Sequence, residues 1–140
     1  MVYIRAATEQ DDATIKKMVR DEQLDPTSIK WRNFLAAEVD GKIVGIGQIR
    51  KHSDCEELGS LVVLKEYRGQ GIAAQLIEQL EARAGRPLYL DCRDNMIPYY
   101  QRFGYQPISY WEAPRTLQLK LLFPLMLRVF GIKVGVMRKD

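Results

Sequence analysis

Residues 34–50, FLAAEVDGKIVGIGQIR, constrain the architecture more than any other stretch. Two β-rich runs flank Asp40-Gly41, the dipeptide that favours the left-handed backbone of a tight two-residue turn. An antiparallel hairpin this early argues for a mixed α/β (α+β) sheet over a uniformly parallel one. Ahead of it, residues 2–5 (VYIR) read as a short first strand. Thr8 is placed to cap a helix with carboxylates in its first turn and Ile15, Met18 and Val19 at helical spacing. That helix should fade before Pro26, because a proline disfavours helical backbone in the residue preceding it. TSIKWRNF offers a second short helix.

The rest of the chain alternates. After a turn at KHSDCE, ELGSLVVL reads as a strand that runs into EYRGQGIAAQLI, residues 66–77. Ala73, Leu76, Ile77, Leu80 and Ala84 then share one helical face, with Gln75, Glu78, Gln79 and Glu81 elsewhere and Gly85 as a stop. PLYLDC is a strand, NMIPYYQRF a short helix closed by Gly104, and YQPIS another strand. Pro114 and Pro124 are helix-starting residues, Gly131 a stop, and Ile132, Val134 and Val136 alternate as a last strand. A helical insert at about 110–131 is thus expected before the final strand.

A chain of 140 residues, 46% hydrophobic and 28% charged, suits one ordinary globular domain over residues 1–140. MVYIRAATEQ lacks the basic start and apolar centre of a secretory signal, and no apolar run approaches the ~20 residues that span a bilayer, so a cytoplasmic location is expected. Cys55 and Cys92 read as reduced thiols. His52 reads as a solvated loop histidine, and no metal site is expected. The net charge of +3 is uneven: residues 113–140 carry six basic side chains against Asp140, leaving −2 for the remainder. That tail is mostly aliphatic, so no nucleic-acid partner is expected of it; contact with a partner or an anionic membrane remains an alternative role.

Gly69 and Gly71 in EYRGQGIAAQLI open a helix, where backbone N–H groups and the positive end of the helix dipole suit a phosphate, with Arg68 adding charge. A plain strand-to-helix turn would use the same residues. So would a Rossmann-type dinucleotide site, since Gly69, Gly71 and Ala74 fit G-x-G-x-x-A and Asp91 stands 20 residues after Gly71. Against the dinucleotide reading, LKEY separates the strand from the glycines and an antiparallel hairpin precedes it.

LVVLKEYRGQGIAAQLI resembles the acyl-CoA-binding segment of the GNAT N-acetyltransferase superfamily, with Arg68, Gly71 and Ala73 in register. IRAATEQDDATI is similar to the family's first strand and helix, AAEVDGKIVGIG to its central hairpin, and YYQRFGY to its second signature, over roughly residues 2–109. The resemblance implies a mixed, mostly antiparallel sheet with a central β-α-β acyl-CoA-binding unit flanked by helices. It implies acetyl-CoA as cosubstrate, its pantetheine on the backbone of Leu61, Val62 and Val63 and its pyrophosphate on Arg68, Gly69, Gln70, Gly71, Ile72, Ala73 and Ala74. Val63 N–H would face the developing oxyanion. Tyr100 takes the place of the family's catalytic tyrosine, while Tyr99 points about 100° away around a helix and packs. Asn95 stands five residues before Tyr100, where the family often has an asparagine at seven, and is carried over as a coenzyme contact. Glu57, four residues before Leu61, matches the general base of some members, with Asp91 and a relayed water as alternatives. The implied acceptor is an amine, from a small molecule, a peptide N-terminus or a lysine. Asp21, Glu22 and Asp25 could attract it, and Leu117, Leu121, Leu122, Leu125, Met126 and Phe130 could wall its pocket; packing or a homodimer contact would explain the insert equally. A non-catalytic acyl-CoA-binding regulatory module of the same fold is the alternative function.

Overall fold

The computed structural model describes residues 1–122 and 133–140. Pro124, Leu125, Met126, Phe130, Gly131 and Ile132 lie outside the described residues. The chain divides into two compact units, one of residues 1–50 and 58–84, the other of 51–57 and 85–140.

In the first unit, strand β1 (Tyr3–Ala6) pairs antiparallel with β2 (Phe34–Val39), and β2 pairs antiparallel with β3 (Lys42–Lys51). The β2–β3 turn has the expected geometry, with Asp40 at φ 49° and Gly41 at φ 78°. β4 (Glu56–Val63), which enters this unit at Leu58, lies next to β3. Thr8 forms a capping box with Asp11 on a 3-10 turn, Glu9–Asp11, that leads into helix α1 (Asp12–Asp21). Ile15, Met18 and Val19 of α1 pack with Ala7, Phe34, Ile46 and Val62. The short helix expected in TSIKWRNF is one 3-10 turn, Trp31–Asn33.

Helix α2 (Ile72–Ala82) buries Ile72, Leu76, Ile77 and Leu80. It comes close to β3 because β3 has glycines under it. A Cβ on Gly45 would stand 3.1 Å from Leu76 Cδ1, and one on Gly47 would stand 2.8 Å from Leu80 Cδ1. The V-G-I-G pattern of the hairpin is thus a helix-docking surface, written as missing side chains.

The second unit runs in the order β4, β5, β7, β6. The first residues of β4 pair in parallel with β5 (Leu88–Arg93) through Glu56↔Leu88 and Glu57↔Tyr89. β7 (Val134–Lys139) pairs antiparallel with both β5 and β6 (Gln106–Ile108). Helix α3 (Ile97–Gln101) ends at a left-handed Gly104 (φ 93°), as its sequence suggested. Helix α4 (Arg115–Lys120) starts directly after Pro114. The strands are therefore mixed and mostly antiparallel, with helices between them, as expected of the α/β (α+β) class.

The described part of the insert packs one face into the core and leaves Trp111 and Leu119 exposed. Leu117 and Leu121 are buried with Ala113 and Val136, against Cys55, Tyr89, Ile108 and Tyr110; Leu122 is exposed. The Tyr110 hydroxyl donates to Gln118 O at 2.7 Å, and Thr116 N donates to Asp54 Oδ2 at 3.1 Å.

The first turn of the chain should respond to acid. Arg5 donates to both oxygens of the buried Asp11, at 2.7 and 3.1 Å, and holds its carboxyl down at about 2. A depressed carboxylate contributes stability above its unfolded value near 4 and loses it as pH falls through the folded value. Asp11→Asn should destabilise the protein by roughly 1–2 kcal/mol at pH 7, after allowance for a partly exposed partner, and by progressively less between pH 4 and 2. Urea unfolding of both proteins across that range checks it.

Candidate active site

In the first unit, the site begins in β4. Ser60 has φ 52°, a left-handed backbone inside a strand, and is buried. Its hydroxyl meets the Gln48 amide and Arg50 Nη2, each at 3.0 Å. Gly59 beside it leaves room for Arg50, whose Nη1 would sit 2.4 Å from a Cβ there. Two buried polar side chains of β3 thus hold β4 kinked just ahead of Leu61, Val62 and Val63. Val62 and Val63 are buried and Leu61 is half-buried.

LKEY, which separates strand from glycines, forms the 3-10 turn Lys65–Tyr67. Arg68 then folds back, with Nε donating to Val63 O at 2.8 Å and Nη2 to Glu22 Oε1 at 3.3 Å. Gly69 and Gly71 both have positive φ, 78° and 79°, and nothing lies within 4 Å of where a Cβ would be. Glycine here serves the backbone angle and leaves the outer side open for a ligand. Gly71 is the N-cap of α2 and makes no side-chain cap. The first turn of a helix has N–H groups with no intrahelical acceptor, so the N–H groups of Ile72, Ala73 and Ala74 are oriented as anion donors. The residues present fit a diphosphate. Asp21, Glu22 and Asp25, which could attract a cationic amine, sit beside Lys17, Arg68 and Arg50.

In the second unit, strand alternation puts Glu57 and Glu56 on opposite faces of β4, and the half-buried Glu56 accepts from Gly85 N through Oε1 at 3.2 Å. Glu57 is 1% exposed. Its Oε1 is 2.8 Å from His52 Nε2, and its Oε2 accepts from Lys120 Nζ at 2.5 Å. Lys120 also donates to Asp91 Oδ2 at 2.9 Å. Four side chains from β4, β5, α4 and the turn after β3 thus make one charged cluster. Burial pushes Asp91 up to about 6, with Lys120 opposing and the Glu57 charge reinforcing the rise. The sequence expectation for His52 is corrected here: the ring is bonded to Glu57 with its side chain 17% exposed, because the turn from His52 to Cys55 (His52 N to Cys55 O, 2.9 Å) sets it beside the start of β4.

Tyr100 is half-buried on α3, edge-on to Tyr99 at 5.2 Å and to Tyr105 at 6.3 Å. Burial, and then the neighbouring Cys92, Tyr99 and Asp91, push its hydroxyl far above the ordinary tyrosine value, so it stays protonated. Tyr99 packs on Phe103 as well. Asn95 is exposed in a 3-10 turn, Asp94–Met96. Both thiols are half-buried and pushed up to about 12 by that burial, which makes them poor nucleophiles at neutral pH. Among the described residues, no group of three or more His, Cys, Asp or Glu side chains is arranged to hold a metal.

A mixed sheet in which a glycine-opened helix follows the fourth strand is the frame of acyl-CoA-dependent transferases. The family model described as the acetyltransferase (GNAT) domain matches residues 30–107, and the chain belongs to that family. Curated proteins give no sequence match. Among solved structures, N-acetylglutamate synthase from Neisseria gonorrhoeae, complexed with coenzyme A and N-acetyl-glutamate, has a TM-score of 0.78 at 21% identity over 99% of this chain and 35% of its own. A Mycobacterium tuberculosis protein in complex with CoA gives 0.76 at 18% identity, covering 98% of each chain. An acyl-CoA N-acyltransferase from Pseudomonas aeruginosa gives 0.69 at 18% identity over 100% of this chain and 99% of its own. This chain spans about a third of the length of the synthase.

Lys120 is the cation that lets two carboxylates sit together. Lys120→Met should cost roughly 2–4 kcal/mol of stability at pH 7, because it strands paired charge away from water. At pH 5 the loss should shrink, since Asp91, raised to about 6, is then mostly protonated. Thermal unfolding at the two pH values measures both.

Proposed function

We propose that this chain is an N-acetyltransferase that moves an acetyl group from acetyl-CoA to a primary amine by direct attack through a tetrahedral intermediate. Residues 1–140 act in this reading as one catalytic domain. The observation that carries it is the N-cap of α2: a left-handed glycine with no capping side chain and open space in front, in a chain of the GNAT family. Backbone donors from residues 69–74 take the pyrophosphate, the kinked β4 presents Leu61, Val62 and Val63 to the pantetheine, and Arg68 braces the loop against Val63 O.

An alkyl ammonium, with pKa ~10.4, must lose a proton before it can attack. Glu57 is the base that takes it. The neutral nitrogen then bonds to the acetyl carbonyl carbon, Val63 N–H faces the oxyanion, and the C–S bond breaks as the intermediate collapses. The leaving thiolate takes its proton from Tyr100, whose raised pKa keeps that proton available. Two thiols held near 12 favour direct transfer over an acyl-cysteine intermediate.

One observation favours the second reading, a non-catalytic acyl-CoA-binding module: Lys120 already occupies Glu57 Oε2. Turnover separates the two. Thiol release from acetyl-CoA should be measured with spermine, L-glutamate, kanamycin, a peptide with a free N-terminus and a lysine peptide with a blocked one. Amino acids belong in the panel because the Neisseria synthase was solved with N-acetyl-glutamate. Release with one class supports the enzyme and names its acceptor; heat of acetyl-CoA binding with no release in any class supports the module. NAD binding without acetyl-CoA binding would overturn both. As for location, none of the described helices is long and apolar enough to cross a membrane.

Gly71→Val should weaken acetyl-CoA binding by about tenfold or more in calorimetry, because a β-branched residue is strained at positive φ and its side chain enters the open side of the loop. Tyr100→Phe should lower turnover by about a hundredfold with acetyl-CoA binding retained. Normal turnover of that variant removes Tyr100 from the acid role.

A further inference from the structure

The acyl transfer set out above leaves one proton unaccounted for. Glu57, 1% exposed, must release what it takes from each amine before it can act again. On Oε2 it meets the Lys120 ammonium, which has N–H donors and no lone pair to receive a proton. On Oε1 it meets His52 Nε2 at 2.8 Å, and the imidazole keeps 17% of its surface in solvent. An imidazole accepts at one nitrogen and releases from the other. The ring therefore joins a buried oxygen to water.

We propose that His52 is the proton exit behind Glu57, a positioning residue through which the base is reset after each transfer. The proposal rests on Glu57 acting as the base. At rest Nε2–H donates to the carboxylate. The amine proton moves to Glu57; exchange with water brings the ring to its Nδ1–H tautomer; the Glu57 O–H proton passes to Nε2; Nδ1–H gives a proton to water. The ring is left as the Nε2–H tautomer donating to the restored carboxylate, its resting state.

The placement is built rather than incidental. β3 ends at Lys51, the His52 N to Cys55 O bond closes the turn, and β4 opens at Glu56, so residues 52 and 57 meet across a pinned backbone. The ring bonds Glu57 from β4; Lys120 from α4 joins Glu57 and Asp91 from β5 joins Lys120, while Asp54 and Cys55 lie on the ring's own turn. Asp91 is the competing exit, since it shares Lys120 with Glu57.

Since His52 is the sole histidine, its imidazole nitrogens can be followed by NMR without assignment ambiguity. In wild type against Glu57→Gln, the imidazole nitrogen shifts should differ, because Nε2 then faces an amide in place of a carboxylate. In kinetics, His52→Gln keeps a donor for Oε1 but cannot relay. It should turn over about ten- to a hundredfold more slowly with an unchanged KM for acetyl-CoA, whereas His52→Ala should be partly restored by added imidazole. Imidazole nitrogen shifts identical in both proteins overturn the proposal, whatever the acceptor. So does a His52→Gln enzyme that turns over normally, or one whose loss is copied by Asp91→Asn and not rescued by imidazole. A dead Glu57→Gln beside a normal His52→Gln removes only the relay. A normal Glu57→Gln removes the base itself, and the relay with it.

Discussion

The second unit is organised around a carboxylate that has left water. Burying an ion costs several kcal/mol unless partners replace the lost solvent, and Glu57 obtains two of them directly. His52 comes from the turn that ends β3, Lys120 from the last residue of α4, and Asp91 joins through Lys120 from β5. Each partner is held by a separate feature: a closed turn, a six-residue helix sunk on Leu117, and a strand paired on both sides. Loss of Lys120 takes from Glu57 and Asp91 the cation they share. Much of the unit's local geometry can be understood as the set of conditions under which these four side chains meet.

β4 joins two kinds of chemistry within eight residues. Its first two residues carry side chains to polar partners, Glu56 to a backbone N–H and Glu57 to the cluster. Its last three are apolar, and there the backbone matters. The change occurs at Gly59-Ser60, where a left-handed residue interrupts the strand and Arg50 with Gln48 holds the interruption in place. A residue such as Ser60 at positive φ is strained, and it persists because buried hydrogen bonds over-determine it.

Features set by neighbours in the chain were legible in the sequence. Asp40-Gly41 announced its turn, Gly104 its helix end, Pro114 the start of α4, and the two loop glycines their left-handed angles. Strand alternation separated Glu57 from Glu56. What escaped were contacts between residues far apart. Nothing in the KHSDCE turn points to Lys120, which lies 63 residues after Glu57 and bonds it. His52 looked isolated because its partner is a carboxylate five residues on, reached only once the turn closes. Arg50 and Gln48 were hidden as ordinary strand residues, and a polar pair at the end of a hydrophobic strand was the available sign. Gly59-Ser60, in the middle of ELGSLVVL, was the corresponding sign for the kink. Gly45 and Gly47 gave no hint of their purpose, since a helix-docking surface made of absent side chains has no residue to announce it.

β7 lies between β5 and β6 although it follows both in the chain. Until residues 134–139 have been synthesised, the facing edges of β5 and β6 have nothing to pair with, and Met137, wholly buried, leaves a hole between them. Exposed edges of that kind are templates for pairing with the wrong chain. A nascent chain on the ribosome therefore carries a complete glycine loop and α2 well before the strand that seals the second unit has emerged. The interval between those events is when this protein is most exposed to misassembly.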